Sequence, residues 1–254
     1  LTGDSRSKLI GKSASELFPG ERAERIAASD RETLESRVAV LTRETPIPTA
    51  HNNVRLVSAK KVAIRDDDGK PQYLLSLLDD VTERRRSEQR IAHLAHYDSL
   101  TDLPNRAAFN ECFATTLERA AANNERFTIL SVDLDHFKEV NDLFGHSIGD
   151  ALLREATRRL QAAATGAFLA RIGGDEFMLI VTDGAQPVAA AALAERLLAA
   201  FVNDFEVDGR QLQIGLTIGG AVYPRDGTDA KTLMINADTA LYRAKADMRG
   251  SVLF

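Results

Sequence analysis

The chain has one cysteine in 254 residues, Cys112, which excludes an internal disulfide framework and suits a reducing compartment. No run of about 18 apolar residues occurs, so no segment reads as a membrane span. Positive charge is not in excess either. The 32 Lys and Arg stand against 37 Asp and Glu, and a net charge of -5 carries no footprint of general nucleic-acid binding. The chain opens at Leu1 with neither Met nor a signal-like n-region, and so reads as part of a longer protein. What it does have is 44% hydrophobic content, enough for one large or two modest domains.

The charge is unevenly placed. Residues 1–82 hold 13 basic and 13 acidic groups, and residues 83–97 hold 4 and 2. Residues 98–254 hold 15 and 22, a net of -7. An acidic domain that handles a polyanionic substrate needs cations to do so.

Three zones follow. In residues 1–82, Glu21 to Val40 reads as a helix with Ile26, Leu34 and Val38 as its apolar positions. Val54 to Ile64 alternates like a half-buried strand, and Pro71 to Leu78 reads as its partner across Asp66-Asp67-Asp68-Gly69. Turn chemistry alone explains those aspartates. Residues 83–97 carry Glu83-Arg84-Arg85-Arg86, then Ile91 and Leu94, with no Pro or Gly. That pattern predicts a connecting helix, either solvated or offering a short coiled-coil seam to a second copy. From Asp98 onward the pattern is α+β. A helix starts at Pro104-Asn105 and runs to about Ala122, and a buried-strand run covers Phe127 to Asp133. Helices are expected over His136–Phe144, Ile148–Ala163, Val188–Val202 and Ala230–Asp247. A long strand is expected over Gln211–Val222 and a last one over Ser251–Phe254, the helices all lying on one face of the sheet.

The most informative stretch is Arg171-Ile172-Gly173-Gly174-Asp175-Glu176-Phe177. Apolar runs flank it, so Gly173 and Gly174 read as the turn of a tight hairpin that lifts Asp175 and Glu176 to a strand end. Read alone, it is an acidic turn. A second acidic element, Asp133-Leu134-Asp135-His136, closes the apolar strand, with Asp133 and Asp135 on one face. Placed beside the hairpin, Asp133 would face Asp175, and two carboxylates that close need a cation or a shared proton. Oxygen-only ligands without a His/Cys set favour Mg²⁺. Asp135 has an ordinary reading as the N-cap of the following helix. His136 and His146 read as structural or surface residues rather than ligands, and Arg171 receives no role.

These elements together resemble the GGDEF family of diguanylate cyclases. The opening segment Asp98 to Arg106, the stretch Asp133 to Asp150, the Gly173–Phe177 signature and Ala240-Leu241-Tyr242-Arg243-Ala244-Lys245 stand in family order over 98–254. The resemblance implies a fold similar to nucleotidyl cyclases and polymerase palms (ferredoxin-like), and condensation of two GTP into cyclic di-GMP with release of pyrophosphate. It implies Mg²⁺, two ions per half-site with Mn²⁺ as a substitute, on Asp133, Asp175 and the Leu134 carbonyl. Glu176 would act near the attacking 3′-hydroxyl as ligand or base. Backbone amides around His136, Phe137 and Lys138, at a helix N-terminus, would cradle phosphate. Lys245 and Arg249, four apart on one helix, would bind terminal phosphates. Asn141 and Asp150 would read guanine, since a carboxylate accepts from N1–H and N2–H₂, donors that adenine lacks on that edge. The family's Arg-x-x-Asp product-inhibition site is missing: the matching stretch is Ala164-Thr165-Gly166-Ala167, so no high-affinity inhibition is expected there.

Residues 1–82 resemble the C-terminal part of a PAS sensor domain through Thr2-Gly3, Leu9-Ile10-Gly11-Lys12, Asp66-Asp67-Asp68-Gly69 and Asp80-Val81-Thr82. The absence of Cys there disfavours a flavin-adduct photosensor, His51 alone makes no case for haem, and no PAS ligand can be named. The expected organisation is therefore a PAS-like domain (1–82), a linker helix (83–97) and a GGDEF domain (98–254). The substrate would be GTP, catalysis would require a homodimer, and no nucleic acid or membrane segment would be involved. A cytoplasmic location is expected, with membrane attachment upstream left open. The rival reading is a catalytically silent GGDEF domain that binds GTP as a regulatory module. A phosphodiesterase is disfavoured because no second catalytic domain follows Phe254 in this sequence, with a longer natural protein left open.

Overall fold

A computed structural model of the chain describes residues 5–18, 20–41, 44–48 and 54–254. Thr2-Gly3 and His51 lie outside the described residues. The chain divides into two units, Leu1–Ile91 and Ala92–Phe254.

In the first unit, short helices α1 (Arg6–Leu9) and α2 (Ala14–Leu17) precede α3 (Glu21–Glu35) and strands β1 (Val40–Leu41), β2 (Thr45–Pro48), β3 (Val54–Arg65) and β4 (Pro71–Asp80). Strand β3 pairs antiparallel with β4, β2 and β1. At the predicted β3–β4 turn, the Asp66 carboxylate accepts from the Asp68 and Lys70 N–H groups while Gly69 sits at φ +79°. Helix α3 stops at Glu35, short of the expected Val40. The Ser36 hydroxyl and the Val38 backbone form a local turn that competes with helix, and Arg65 takes the Leu34 and Ser36 carbonyls. Val40 thereby joins the sheet opposite Lys61. Helix α4 (Thr82–His96) carries the chain onward.

The second unit comprises α5 (Arg106–Asn123), β5 (Phe127–Asp135), α6 (Phe137–Phe144), α7 (His146–Ala163), β6 (Phe168–Gly173), β7 (Glu176–Val181), α8 (Val188–Ala199), β8 (Phe205–Val207), β9 (Arg210–Leu212), β10 (Gly215–Tyr223), α9 (Ala230–Asp247) and β11 (Val252–Leu253). Helix α5 starts where Asn105 accepts from the Ala107 and Ala108 N–H groups, a side-chain N-cap. The main sheet runs β11-β10-β5-β7-β6. Strands β10, β5, β7 and β6 pair antiparallel in that order, and β11 joins β10 in parallel.

Every residue of β5 is buried, which requires cover on both faces. Helices accordingly flank both sides of the sheet, and the one-face expectation is corrected. Leu130, Val132 and Leu134 point into a cluster with residues of α7 and α8. Phe127 and Ile129 point the other way, toward Phe109 and Phe113 of α5 and Leu233 and Ala237 of α9. Each such fully buried Leu or Phe contributes about 1.5–3 kcal/mol. The expected strand from Gln211 to Val222 is two strands, because Arg210–Leu212 folds back on Phe205–Val207 instead. Asp208 and Gly209, both at positive φ, make that turn, an Asp-Gly hairpin signal that the long apolar run overshadowed. The expected helix 188–202 ends at Ala199.

Helix α9 lies directly on β10 at Gly219. A Cβ there would fall on the backbone of Leu241 and Ala237, atoms that cannot step aside. Gly219→Ala should therefore destabilise the second unit by at least about 2 kcal/mol in denaturant unfolding.

Candidate active site

The candidate site forms where β5, β7 and α9 meet. Strand β5 delivers Ser131, Asp133 and Asp135 to the α5/α9 face by simple alternation. The antiparallel register sets Asp133 opposite Glu176 of β7. Gly173 closes β6 at φ +151° and Gly174 enters the turn at φ +54°, so the turn proper is Gly174-Asp175. Asp133 thus faces Glu176 across the ladder rather than Asp175. Asp175 still bears on it: its carbonyl accepts the Leu134 N–H at 3.3 Å, and its charge acts on the Asp133 carboxylate.

The Asp133 side chain is only 12% exposed. Burial pushes its carboxyl above the usual carboxylate range, and the Asp175 and Asp135 charges push the same way. Against them stands Lys245 of α9, whose Nζ lies 2.6 Å from Asp133 Oδ1. Asp133, Glu176 and Lys245 share a cavity of about 300 Å³ with Arg106, Ser131 and Asp238. Three stretches far apart in sequence therefore converge on one pocket.

Other anticipated residues lie around it. Asp135 does not cap α6. Its carboxylate accepts the Thr217 hydroxyl at 2.7 and 2.9 Å, and the N-cap position is His136, at φ +63° with no side-chain cap. A donor on the neighbouring strand, the Thr217 hydroxyl, outcompetes the local amides for the carboxylate. His136 bonds Glu139 at 2.7 Å, Phe137 is buried in the α7-side core, and Lys138 is exposed at the start of α6. The Leu134 side chain faces the opposite side of the sheet from Asp133. Helix α9 ends at Asp247, so Lys245 and Arg249 do not share a helix face. Arg249, beyond the helix, still reaches to 3.9 Å from Asp135. Asn141 and Asp150 sit on α6 and α7, outside the pocket, where the Asn141 carboxamide packs on Gly149 so closely that a Cβ at Gly149 would overlap it. Ala164 to Ala167 form the turn between α7 and β6.

Sequence reasoning missed a structural tie. Arg171 is buried, donates to Gly174 O at 2.7 and 3.0 Å, and pairs with Asp98 at 2.7 Å. It clamps the acidic turn to the segment ahead of α5. Burial works against the charge on Asp98, but bonds from Thr101 and Arg171 more than offset it and hold the carboxyl below its usual range. Ser131 with Asp238, bonded at 2.8 Å, and Arg106 were missed as well. Their only signal was position on β5, α9 and α5.

The carboxylates and the backbone carbonyl are hard oxygen donors and suit a small divalent cation. Among the described residues, no three His, Cys, Asp or Glu side chains gather closely enough to hold a metal by themselves. A cation here would take part of its shell from a substrate's phosphates, as Mg²⁺ commonly does.

A PAS-type sheet unit followed by a nucleotidyl-cyclase-like α+β unit defines a class of bacterial signalling protein. The chain belongs to the GGDEF family. Residues 95–251 match the model of the diguanylate cyclase, GGDEF domain, and residues 1–86 match a PAS fold. An uncharacterized signaling protein of Caulobacter vibrioides is 46% identical over 177 residues, covering 69% of this chain and 22% of its own length. Diguanylate cyclase TpbB of Pseudomonas aeruginosa is 37% identical over 181 residues, covering 70% of this chain and 42% of its own. The cyclic di-GMP phosphodiesterase PdeR of Escherichia coli is 32% identical over 251 residues, 98% of this chain and 37% of its own. The chain thus spans about a fifth to two fifths of the length of these relatives. Among solved structures, the TpbB GGDEF domain superposes with a TM-score of 0.60 at 36% identity, covering 62% of this chain and 93% of that one. A sensory box/GGDEF family protein of Caulobacter crescentus gives 0.57 at 46% identity, covering 60% and 99%.

Two predictions follow from this geometry. Asp98→Asn should cost about 1–2 kcal/mol at pH 7 through loss of a charged hydrogen bond. Because the folded Asp98 pKa is lowered, that contribution is complete above the unfolded value of about 3.9 and fades as pH falls through the folded one. The gap between wild type and variant in urea melts should therefore narrow progressively as the pH is lowered below the unfolded value. Gly149→Ala should displace the carboxamide of Asn141, the residue expected from the family resemblance to read guanine, and so weaken GTP binding about tenfold in calorimetry, for the loss of about one hydrogen bond. The new Cβ would also sit 3.3 Å from the Phe137 ring, so an unchanged circular dichroism spectrum is needed to separate lost binding from lost fold.

Proposed function

We propose that the chain is a diguanylate cyclase that joins two GTP into cyclic di-GMP and releases pyrophosphate. The observation that carries this reading is the convergence of Asp133, Glu176 and Lys245 on one pocket. Asp133, Asp175 and the Leu134 carbonyl would hold Mg²⁺, or Mn²⁺ in its place. When bound, such cations acidify the attacking hydroxyl and offset charge building at the α-phosphate.

The chain's own residues do the rest. Glu176, exposed at the start of β7 and lining the pocket, would take the proton of the attacking 3′-hydroxyl as the new O–P bond forms and the bond to pyrophosphate breaks. Lys245 and Arg249 bring two cations to the same strand end, able to hold the β- and γ-phosphates. The backbone amides of His136, Phe137 and Lys138 offer donors to phosphate at the start of α6. Asn141 and Asp150 read the guanine edge.

Each GTP supplies one nucleophile and one electrophile, so two copies must face each other. Ile91 and Leu94 of α4 are exposed by 69% and 41% and can seat such a pairing. The functional division we propose is a PAS sensor over 1–82, a linker over 83–97 and a cyclase over 98–254, with the sensor setting dimer geometry. Among the described residues no helix is long and apolar enough to cross a membrane. Its GTP substrate places the domain in the cytoplasm.

Incubation with GTP and Mg²⁺, followed by chromatography, should yield cyclic di-GMP. Asp175→Ala should lower turnover at least about a hundredfold while the circular dichroism spectrum is unchanged. GTP binding without product from concentrated wild type would instead identify a silent nucleotide-binding module.

A further inference from the structure

We infer that Lys245 occupies the place of the cation in the nucleotide-free protein, so that divalent metal enters only together with nucleotide phosphates. The inference rests on the proposed metal role of Asp133 and concerns the order in which that site fills.

The Asp133 carboxylate is nearly enclosed and stands among the like charges of Asp175 and Asp135. A charged group in such surroundings needs a counter-ion, and Lys245 Nζ at 2.6 Å is the cation in contact with it. A divalent ion bound to the same oxygen would come within a few ångströms of the ammonium, and repulsion would be strong in this half-buried pocket. Lys245 must therefore leave before metal settles, and it leaves readily only toward another anion.

Helix α9 is packed closely on β10 at Gly219 and need not shift for the exchange. A swing of the long, flexible lysine side chain within the 300 Å³ cavity is enough. Incoming phosphates provide the destination. They also supply the ligands that the protein lacks, since among the described residues no three His, Cys, Asp or Glu side chains come close enough together to hold a metal. Metal and nucleotide binding are then coupled through one side chain: free metal competes with a tethered cation, and metal–nucleotide does not.

The test is a Mn²⁺ titration of the nucleotide-free full chain, read by the loss of free-ion signal in electron paramagnetic resonance. Lys245→Met should bind Mn²⁺ at least about tenfold more tightly than wild type, within the usual range of coupling between sites. Lys245→Gln, which keeps a polar tip, should show the same gain. Arg249→Met removes an equal charge without freeing Asp133 and should gain less than about threefold. The gain should vanish in Lys245→Met/Asp133→Asn. An unchanged affinity in both Lys245 variants, an equal gain in Arg249→Met, a gain that survives Asp133→Asn, or no binding in any variant would each overturn the inference. None of these readouts involves turnover. Failure to make cyclic di-GMP would remove the cyclase reading and leave this result standing, and the reverse also holds.

Discussion

An aspartate held away from water beside two other carboxylates is stable only with a cation against it. Everything around Asp133 follows from that requirement. Strand β5 must be fully buried to place it there, and β7 must pair in a register that brings Glu176 opposite. Helix α9 must approach β10 closely enough for Lys245 to reach across. The contact is electrostatic, but apolar packing on both faces of β5 sets its geometry.

The acidic turn depends on a second ion pair. Arg171 holds the Gly174 carbonyl and Asp98 together, so the segment ahead of α5 and the hairpin tip are tied through one side chain. Lys245 and Arg171 thus divide the work. Lys245 balances the charge inside the pocket, and Arg171 fixes the loop that forms its rim. Loosening either would leave the strands paired and the pocket misshapen.

Much of this was legible in the sequence, and the exceptions share a cause. The buried strand from Phe127, the hairpin that follows Gly173, the helix start at Asn105 and the β3–β4 turn are short-range patterns, and each is present in the structure, with β5 running on to Asp135 and the hairpin turn shifted by one residue to Gly174-Asp175. What failed were inferences in which a distant partner outbids a local one. Asp135 satisfies the local rule for an N-cap, yet Thr217, 82 residues away, takes its carboxylate. Arg171 gives no local sign of its bond to Asp98. Two-sided cover of the sheet shows in apolar residues on both alternating sets of β5 (Phe127 and Ile129 against Leu130, Val132 and Leu134), but helices interleaved with a hairpin pointed to one face. Lys245 and Arg249 keep helical spacing in sequence, and the helix ends between them. Their convergence on neighbouring β5 carboxylates owes nothing to that spacing.

The central claim is that the cation position at Asp133 is shared between Lys245 and a metal that arrives with nucleotide. The most direct measurement is a crystal structure with Mn²⁺ and 3′-deoxy-GTP, which cannot condense, using anomalous scattering to locate the ion. The account predicts an anomalous peak in contact with Asp133 and the nucleotide phosphates, with Lys245 Nζ moved from Asp133 onto phosphate. A peak elsewhere, with the Lys245–Asp133 pair still closed, would contradict it.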